Sequence, residues 1–361
     1  MTESSEPSSG LPWTPLVGWF LLGALVAGFA LWSQLRTVEG DLAFVLRVGH
    51  ESGTRSLIEA ELGPIPLTEG LGHDGQYSYL IGRDPLGLEG LPALADDGAY
   101  RYRRALYGWL AGGFGLFSPQ ATLFALAAWA IIGFGTATAA TADVARLLDA
   151  RGWAVLGVVG NLGMWLSVQL ATADALAMAL SMLAVSLVLR RRTGWAVVAL
   201  AAAALTKDAY ALFAIGLGGW LFLGDRRRPA LAVTLVPAIP ILLWIGWLSV
   251  QVGNGLSAKD NFAWPLVGLV ESLSAWETTG DLVQAIVALM ALGGAGIVVV
   301  VTRHRLITWL TTPWIVVALI SSVVVWGDGN NAVRAFAPLW LLAWLGAAWI
   351  VQSRANRAVT V

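Results

Sequence analysis

The fold class is set by long apolar runs, and the first of them is residues 13–32, WTPLVGWFLLGALVAGFALW. This run has about the 20 residues that an α-helix needs to cross the hydrocarbon core of a bilayer. No basic segment precedes it, and Ser33-Gln34-Leu35 is a poor match to the small-residue sites at which signal peptides are cleaved. We therefore expect Trp13 to Trp32 to be an uncleaved first transmembrane helix.

Composition extends this expectation to the whole chain. Hydrophobic residues make up 57% and charged residues 12%, and the mean hydropathy is +0.70. Soluble domains carry about 25% charged residues, so these values predict an all-α, polytopic membrane protein. No basic tract indicates nucleic-acid binding. The absence of cysteine excludes disulfides and thiolate chemistry, and the three histidines form no His-rich metal motif, so we expect no cofactor.

Arginine clusters predict the topology, because the positive-inside rule assigns such clusters to the cytoplasm. The clusters are Arg146 with Arg151, Arg190 to Arg192, Arg226 to Arg228, Arg303 with Arg305, and Arg354 with Arg357. The spacing allows two crossings between consecutive clusters: Trp153–Gln169 and Ala175–Leu189, Gly194–Thr206 and Ala209–Leu223, Ala230–Val250 and Leu282–Val301, and Leu306–Trp326 and Ala335–Val351. With Trp13–Trp32 and Gln120–Ala142, this gives about ten transmembrane helices and two cytoplasmic termini, in the inner (plasma) membrane of a bacterium.

The predicted domain organisation is simple. Residues 13–351 form one transmembrane domain, between a disordered cytoplasmic N-terminus (1–12) and a cytoplasmic tail (352–361). Residues 34–104 form a long outer loop, in which a short helix from Asp41 to Val48 is plausible. Residues 105–117 are apolar but too few to cross the bilayer, so we expect an interfacial or re-entrant helix.

The outer loop contains the most polar and aromatic stretch, Gly72-His73-Asp74-Gly75-Gln76-Tyr77-Ser78-Tyr79, followed by Asp84-Pro85. Asp74 is the candidate catalytic residue, as a general base or as a carboxylate that orients an acceptor hydroxyl. The alternative is an ordinary Asp-Gly turn. His73 is an orienting or structural residue, and Gln76 and Tyr77 are candidate substrate contacts.

Other candidate binding residues fall on the same face of the membrane. Lys207-Asp208 lies in a turn between two short helices, where a charged pair is a functional candidate. Lys207 would face a phosphate with Asp208 holding it, or the pair would simply close the hairpin. Arg334 would clamp a phosphate or be a loop charge. Asp174 is a candidate ligand or, alternatively, a helix N-cap. Arg101 and Arg104 are candidate ligands that could instead reach toward lipid headgroups.

These motifs resemble a known family. One helix followed by a long outer loop carrying an aspartate resembles the GT-C class of polytopic glycosyltransferases. The stretch from Gly72 to Tyr77, with Asp84-Pro85 and residues 100–107 (YRYRRALY), is similar to the "YDGQFYY…DP…YRYRRILYP" pattern of bacterial GT-C-like proteins. Residues 204–208 (ALTKD) resemble the "ALTRE" turn of these proteins, and Arg334 with Pro338 resembles their basic residue near the last helix.

The resemblance implies transfer of a sugar, with mannose a candidate, from a polyprenyl-phosphate donor to a glycan, lipid or protein acceptor outside the membrane. Asp74 would then be the base or orienting carboxylate, and Lys207 and Arg334 would hold the donor phosphate. The chain departs from the pattern at His73, Gly108 and Lys207-Asp208, and Asp74 has no neighbouring carboxylate in an Asp-x-Asp motif.

Two other classes of function remain open at this point. A transporter or lipid flippase would spread charges along the bundle axis and show inverted repeats. A non-catalytic scaffold of envelope assembly predicts that Asp74 and Lys207 point apart and that their loss harms only assembly. Whether Asp74, Lys207 and Arg334 line one outward cavity discriminates the scaffold from the enzyme.

Overall fold

The computed structural model describes residues 13–253, 261–302 and 304–359. These residues are helical, with three isolated β-bridges and no β-strand among them. The α-helices are α1 (Trp13–Leu35), α2 (Arg55–Leu62), α3 (Gly75–Arg83), α4 (Gly98–Tyr102), α5 (Ala105–Phe114), α6 (Pro119–Leu147), α7 (Leu156–Val159), α8 (Leu162–Gln169), α9 (Asp174–Leu189), α10 (Thr193–Thr206), α11 (Ala211–Leu223), α12 (Arg227–Leu235), α13 (Ala238–Gln251), α14 (Val267–Ser272), α15 (Thr279–Thr302), α16 (Arg305–Ile320), α17 (Val323–Trp326), α18 (Gly329–Ala335) and α19 (Ala337–Val359). Short 3₁₀ helices lie at Arg36–Val38, Leu42–Leu46, Leu91–Leu94, Gly152–Val155 and Asp208–Tyr210.

Several of these helices could cross a membrane. Four are long and apolar enough among the described residues, namely Thr14–Val38, Pro119–Leu147, Arg227–Gln251 and Thr279–Thr302. The pair α18 and α19 would be a fifth span with a bend of 47°. Four more apolar helices have 10 to 17 residues: Asp174–Leu189, Thr193–Thr206, Asp208–Leu223 and Arg305–Ile320. The all-helical membrane class is thus supported, and about ten crossings stays a prediction.

Three predicted helices are interrupted. The expected helix Ala230–Val250 divides into α12 and α13 at residues 236–237, although the two together still form one apolar span, Arg227–Gln251. The expected helix Trp153–Gln169 is wrong, because it breaks into the 3₁₀ helix Gly152–Val155, α7 and α8. Asn161 causes the second break, since its side-chain oxygen caps α8 and its amide donates to the carbonyl oxygen of Ala337 at 2.9 Å. The expected helix Leu306–Trp326 is also wrong, because α16 ends at Ile320 and α17 follows two residues later.

The break after α16 is stabilised by a neighbouring irregular segment, Asn261 to Leu266. The backbone N–H of Ala263 donates to the carbonyl oxygen of Ile320 at 2.8 Å, and that of Ser322 donates to Asn261 at 2.9 Å. These bonds satisfy backbone groups that the interrupted helix leaves unpaired. They also fix Asn261 beside the outer loop, where its side chain donates to the hydroxyl of Tyr100 at 3.3 Å.

Helix α6 lies at the centre of the bundle and α1 at its periphery. In its most apolar window α6 is 61% buried, whereas the corresponding window of α1 is 17% buried. Helix α9 packs along α6, and at one end Asp143 of α6 forms an ion pair with Arg190 at 2.7 Å and accepts a hydrogen bond from Ser186. At the other end of α9 is Asp174, so this helix connects two charged regions through an apolar middle.

The outer loop is compact and packs onto the bundle. Its expected short helix at Asp41 to Val48 is a 3₁₀ helix at Leu42–Leu46, capped by the Asp41 side chain. The apolar stretch 105–117 forms α5, which ends at Phe114 and packs between α3 and α6. The loop thereby brings α3, α4 and the start of α5 next to Asp174 of α9, Lys207 after α10 and Arg334 of α18.

Candidate functional site

Two glycines set the position of Asp74 at the start of α3. Gly72 has a φ of +78°, and a Cβ atom there would lie 2.2 Å from the carbonyl oxygen of Arg47. A Cβ atom on Gly75 would lie 2.4 Å from the carbonyl oxygen of Leu170. Both positions therefore require glycine. Asp74 occupies the N-cap position of α3, but its side chain makes no capping hydrogen bond, so the carboxylate is available for other partners.

Three arginines from two distant parts of the chain surround the Asp74 carboxylate. One oxygen accepts from Arg101 at 2.6 Å, and the other accepts from Arg104 at 2.8 Å and from Arg334 at 2.7 Å. The Asp74 side chain is 17% exposed and that of Arg334 is 4% exposed. Charge-assisted hydrogen bonds of this kind are the stronger ones in proteins, so they fix the outer loop to α18.

Arg334 also reaches a second carboxylate, that of Asp174. Its Nε and Nη2 atoms donate to Asp174 at 3.2 and 3.1 Å, and Lys207 forms an ion pair with the other Asp174 oxygen. The expectation that Asp174 is an N-cap is wrong: it is the first residue of α9, the cap position is Ala173, and the Asp174 carboxylate is directed to the cations instead. We call Asp74, Asp174, Arg101, Arg104, Lys207 and Arg334 the ion-pair cluster.

Asp208 does not hold Lys207, contrary to expectation. Its closest basic partner is Arg103, with 3.9 Å between the charged atoms, and its side chain is 36% exposed. The backbone explains the divergence, because Lys207 is extended (φ −157°, ψ 117°) and Asp208 begins a 3₁₀ helix. Lys207 therefore points across the bundle to α9, and Asp208 lines the same cavity from a different position.

The arginines determine the protonation of Asp74. Burial acts to raise the pKa of Asp74, but the charges of Arg104, Arg334 and Arg101 outweigh it and hold this pKa well below its ordinary value. The carboxylate is thus ionised at neutral pH and is a weak base while these partners surround it. Burial lowers the pKa of His73, so His73 adds no positive charge to the site at neutral pH.

The other motif residues have distinct places. Tyr77 lines the site, with the Arg101 guanidinium 4.5 Å above its ring. Burial and the neighbouring Asp96 raise the pKa of Tyr77 to about 12, against the opposing charge of Arg101. Gln76 is fully buried and is not among the cavity-lining residues. Its amide accepts from Ser52 at 2.7 Å and from Thr54 at 2.6 Å, which indicates a role in holding the loop.

A cavity of about 420 Å³ opens beside the ion-pair cluster. Asp74, Lys207 and Arg334 all line it, together with Arg101 and Arg104, and the same five residues line a much smaller space of about 10 Å³ that also reaches Asp174. The cavity is also lined by an apolar set of residues, which we call the apolar wall: Ala209, Tyr210, Phe262, Trp314, Val317, Val324, Val325, Ala335 and Phe336. The cavity therefore combines charged and apolar lining residues.

Several cavity residues were not singled out from the sequence. The Tyr100 hydroxyl accepts from Arg104 at 2.9 Å and from Asn261, and the Arg103 guanidinium lies 4.7 Å from its ring centre. Tyr100 is part of the YRYRR motif, so the motif carried a signal for it. Asn261 and Trp314 carried none, because one is in a polar loop and the other is among 19 tryptophans in apolar runs.

The charged lining offers cations rather than a cage of carboxylates. Within residues 13–253, 261–302 and 304–359, no three His, Asp or Glu side chains are grouped to hold a metal ion. Both oxygens of Asp74 already accept hydrogen bonds from guanidinium groups. What the arrangement can do is bind a ligand that has both an anionic and an apolar group. Comparison of the chain with protein-family models, with curated proteins and with solved structures found no match.

Proposed function

We propose that this protein is a GT-C-like membrane glycosyltransferase that moves a sugar from a polyprenyl-phosphate donor to an acceptor outside the membrane. The observation that carries the proposal is the cavity of about 420 Å³, which is lined both by cations and by the apolar wall. A polyprenyl-phosphate sugar has the matching chemistry, since its phosphate is anionic and its chain is hydrocarbon. The resemblance of the outer-loop motif supplies the sugar-transfer part of the proposal.

The charge balance of the site favours an anion. Four cations line the two spaces, from Arg101, Arg104, Lys207 and Arg334, against three carboxylates, from Asp74, Asp174 and Asp208. Removing a charge from water is unfavourable unless it is paired. The internal carboxylates therefore keep the buried cations paired before a ligand binds, and an incoming phosphate shares or replaces them. Arg101 and Arg104, whose side chains are 21% and 16% exposed, are the more accessible donors.

In the proposed reaction, an oxygen of the acceptor hydroxyl forms a bond to the anomeric carbon of the sugar. The bond between that carbon and the phosphate oxygen breaks, and the polyprenyl phosphate leaves with the electron pair. The cations stabilise the negative charge that develops on the leaving phosphate. The hydroxyl proton passes to a carboxylate or to water.

The role of Asp74 depends on how many arginines stay hydrogen-bonded to its carboxylate when a substrate binds. With three guanidinium groups around it the carboxylate is a weak base, which favours the role of orienting the acceptor hydroxyl. If a bound phosphate draws Arg101 and Arg104 toward itself, one Asp74 oxygen becomes available and its basicity rises. Binding of the sugar donor would then make Asp74 a better base for the acceptor hydroxyl. The donor would therefore bind before the acceptor.

The distribution of charge supports an enzyme at one membrane face over a transporter. Asp174 begins α9 and Arg190 directly follows its last residue. At a rise of about 1.5 Å per residue, a helix of this length separates the two charges by roughly 24 Å. Between them α9 carries two polar side chains, Ser181 and Ser186. Helix α9 itself therefore offers no continuous polar path between Asp174 and its basic end, as a transport route along this helix would need.

The test is donor consumption by purified protein in lipid bilayers, with a panel of polyprenyl-phosphate sugars. We expect turnover or slow hydrolysis of one donor, its loss in Asp74→Asn, and a decrease of at least about tenfold in Arg334→Lys, because one ammonium cannot bridge two carboxylates as the guanidinium fork does. The matched controls are Asp41→Asn, whose side chain caps a 3₁₀ helix, and Arg55→Lys, which belongs to an exposed ion pair. Full activity in Asp74→Asn, or consumption of no donor by a folded wild-type protein, would contradict the proposal.

A further inference from the structure

Two hydrogen-bond donors on the apolar wall have no hydrogen-bond partner among the described residues. Tyr210 is 1% exposed and Trp314 is 2% exposed, and both line the cavity. The Tyr210 hydroxyl and the Trp314 indole N–H make no hydrogen bond with the described residues. The two rings pack edge to face with their centroids 5.4 Å apart, so the unpaired donors belong to one local pair.

Unpaired donors are exceptional because a buried polar group without a partner is destabilising. Other buried aromatic side chains of this chain are paired: the indole of Trp326 donates to Ala318, that of Trp244 to Tyr102, and the hydroxyl of Tyr107 to Leu126. The remaining buried aromatic donors without a partner among the described residues are those of Tyr102 and Trp340. Neither of these lines the cavity.

Tyr210 is also held next to the cations. Its backbone N–H donates to the carbonyl oxygen of Lys207 at 3.0 Å, within the 3₁₀ helix Asp208–Tyr210. Tyr210 therefore lies close to Lys207, and both residues line the same cavity. The phosphate oxygens of an anionic lipid bound by Lys207 would lie near Tyr210.

We propose that Tyr210 and Trp314 are substrate-binding residues that donate hydrogen bonds to oxygen atoms of the phosphate headgroup of an isoprenoid lipid. This inference rests on the proposed function and extends it, because it names neutral donors that act beside the cations. Both residues line the cavity, so a ligand bound there is the source of the acceptor in this proposal. The cations attract any anion, whereas a hydrogen bond from a neutral donor depends on the direction of the acceptor. The neutral donors therefore help the site to select a phosphate oxygen in one position.

The experiment measures binding of farnesyl phosphate and of inorganic phosphate to the full chain in detergent micelles by calorimetry. Tyr210→Phe removes only the hydroxyl, and Tyr102→Phe is the matched control. We expect Tyr210→Phe to weaken farnesyl phosphate binding about tenfold, and Tyr102→Phe to change it less than twofold. Trp314→Phe is compared with Trp340→Phe in the same way, since both lose an unpaired indole and similar volume.

Thermal unfolding separates binding from folding. A ligand-binding role predicts that Tyr210→Phe melts at or above the wild-type temperature without ligand, because an unpaired hydroxyl has been removed. Equal affinity for farnesyl phosphate in Tyr210→Phe and the wild type would overturn the inference while leaving the proposed function standing. No binding of farnesyl phosphate by the wild type would overturn both. The last outcome is that inorganic phosphate binds, that farnesyl phosphate does not, and that Tyr210→Phe and the wild type have equal affinity for inorganic phosphate. It would show an anion site formed by the cations alone, and it would also overturn the inference.

Discussion

Asp174→Asn tests whether the ion-pair cluster is a paired network. Asp174 is fully buried, and one of its oxygens faces Lys207 while the other accepts from Arg334 and from Thr172 at 2.9 Å. Asparagine has nearly the same shape but carries one oxygen and one NH₂ group. Whichever way the amide turns, its NH₂ faces a cationic donor, so one of the ion pairs is replaced by two opposed donors.

The expected magnitude follows from which cation loses its partner. Arg334 keeps its hydrogen bond to Asp74, whereas Lys207 loses the carboxylate with which it pairs. Removing one member of a buried ion pair is destabilising by about 3–5 kcal/mol, because the other charge is left uncompensated. Adding Lys207→Met removes that charge, so the double variant should be at least about 1 kcal/mol more stable than Asp174→Asn alone.

The assay is the free energy of unfolding in lipid bicelles, measured by steric trapping for the wild type, both single variants and the double variant. The cycle isolates the coupling between positions 174 and 207. If Asp174→Asn lies within about 1 kcal/mol of the wild type, the cluster is not a stabilising network. If Lys207→Met destabilises the Asp174→Asn protein further, the two side chains do not form the pair described above.

Two further predictions concern Asp74 and its neighbour. The pKa of Asp74 is depressed in the folded protein. The contribution of Asp74 to stability is therefore fully present above its unfolded pKa near 3.8 and is lost as the pH falls from there through the lower folded pKa. The difference in melting temperature between wild type and Asp74→Asn should be constant from about pH 8 to 5 and should shrink below about pH 4, and a change between pH 5 and 8 would argue against this assignment. Gly75→Ala should destabilise the protein by more than about 2 kcal/mol, since its Cβ would lie 2.4 Å from a backbone oxygen of Leu170. Gly113→Ala, a helical position where no atom lies within 4 Å, is the control in the same melting assay.

The helical membrane class could be predicted because it depends on composition and on the length of apolar runs. These are properties of each segment alone, so α1, α6 and α15 lie close to their predicted positions. Breaks within apolar runs were harder to foresee. The break at Asn161 depends on the Ala337 carbonyl, which lies 176 residues away in the chain, and no local pattern reveals such a partner.

The sequence predicted that the site residues lie together, but not which of them form ion pairs with each other. Placing the arginine clusters in the cytoplasm leaves Asp74, Lys207 and Arg334 on the opposite side, and the cavity does bring these three together. The partner of Lys207 could not be read from its neighbour Asp208, because an extended residue followed by a 3₁₀ helix turns adjacent side chains apart. Adjacent charges in a turn are a poor guide to ion pairs.

Aromatic residues at the site were hidden by their abundance. Trp314 is one of 19 tryptophans, most of which suit a membrane protein without any special role. What distinguishes it is an unpaired N–H beside a cavity, and that is a property of the assembled structure. The sequence carried a weak indication for Tyr210, which lies three residues after Lys207, because a helical turn brings residues at this spacing close together.

The bridging position of Arg334 has a consequence for biosynthesis. Asp174 precedes Arg334 by 160 residues and Asp74 precedes it by 260, so both carboxylates are synthesised well before α18. The cations available to them until then are Arg101 and Arg104 for Asp74, and Lys207 for Asp174. Arg334 joins the two halves of the cluster, so the site is complete only when α18 has packed against the earlier helices.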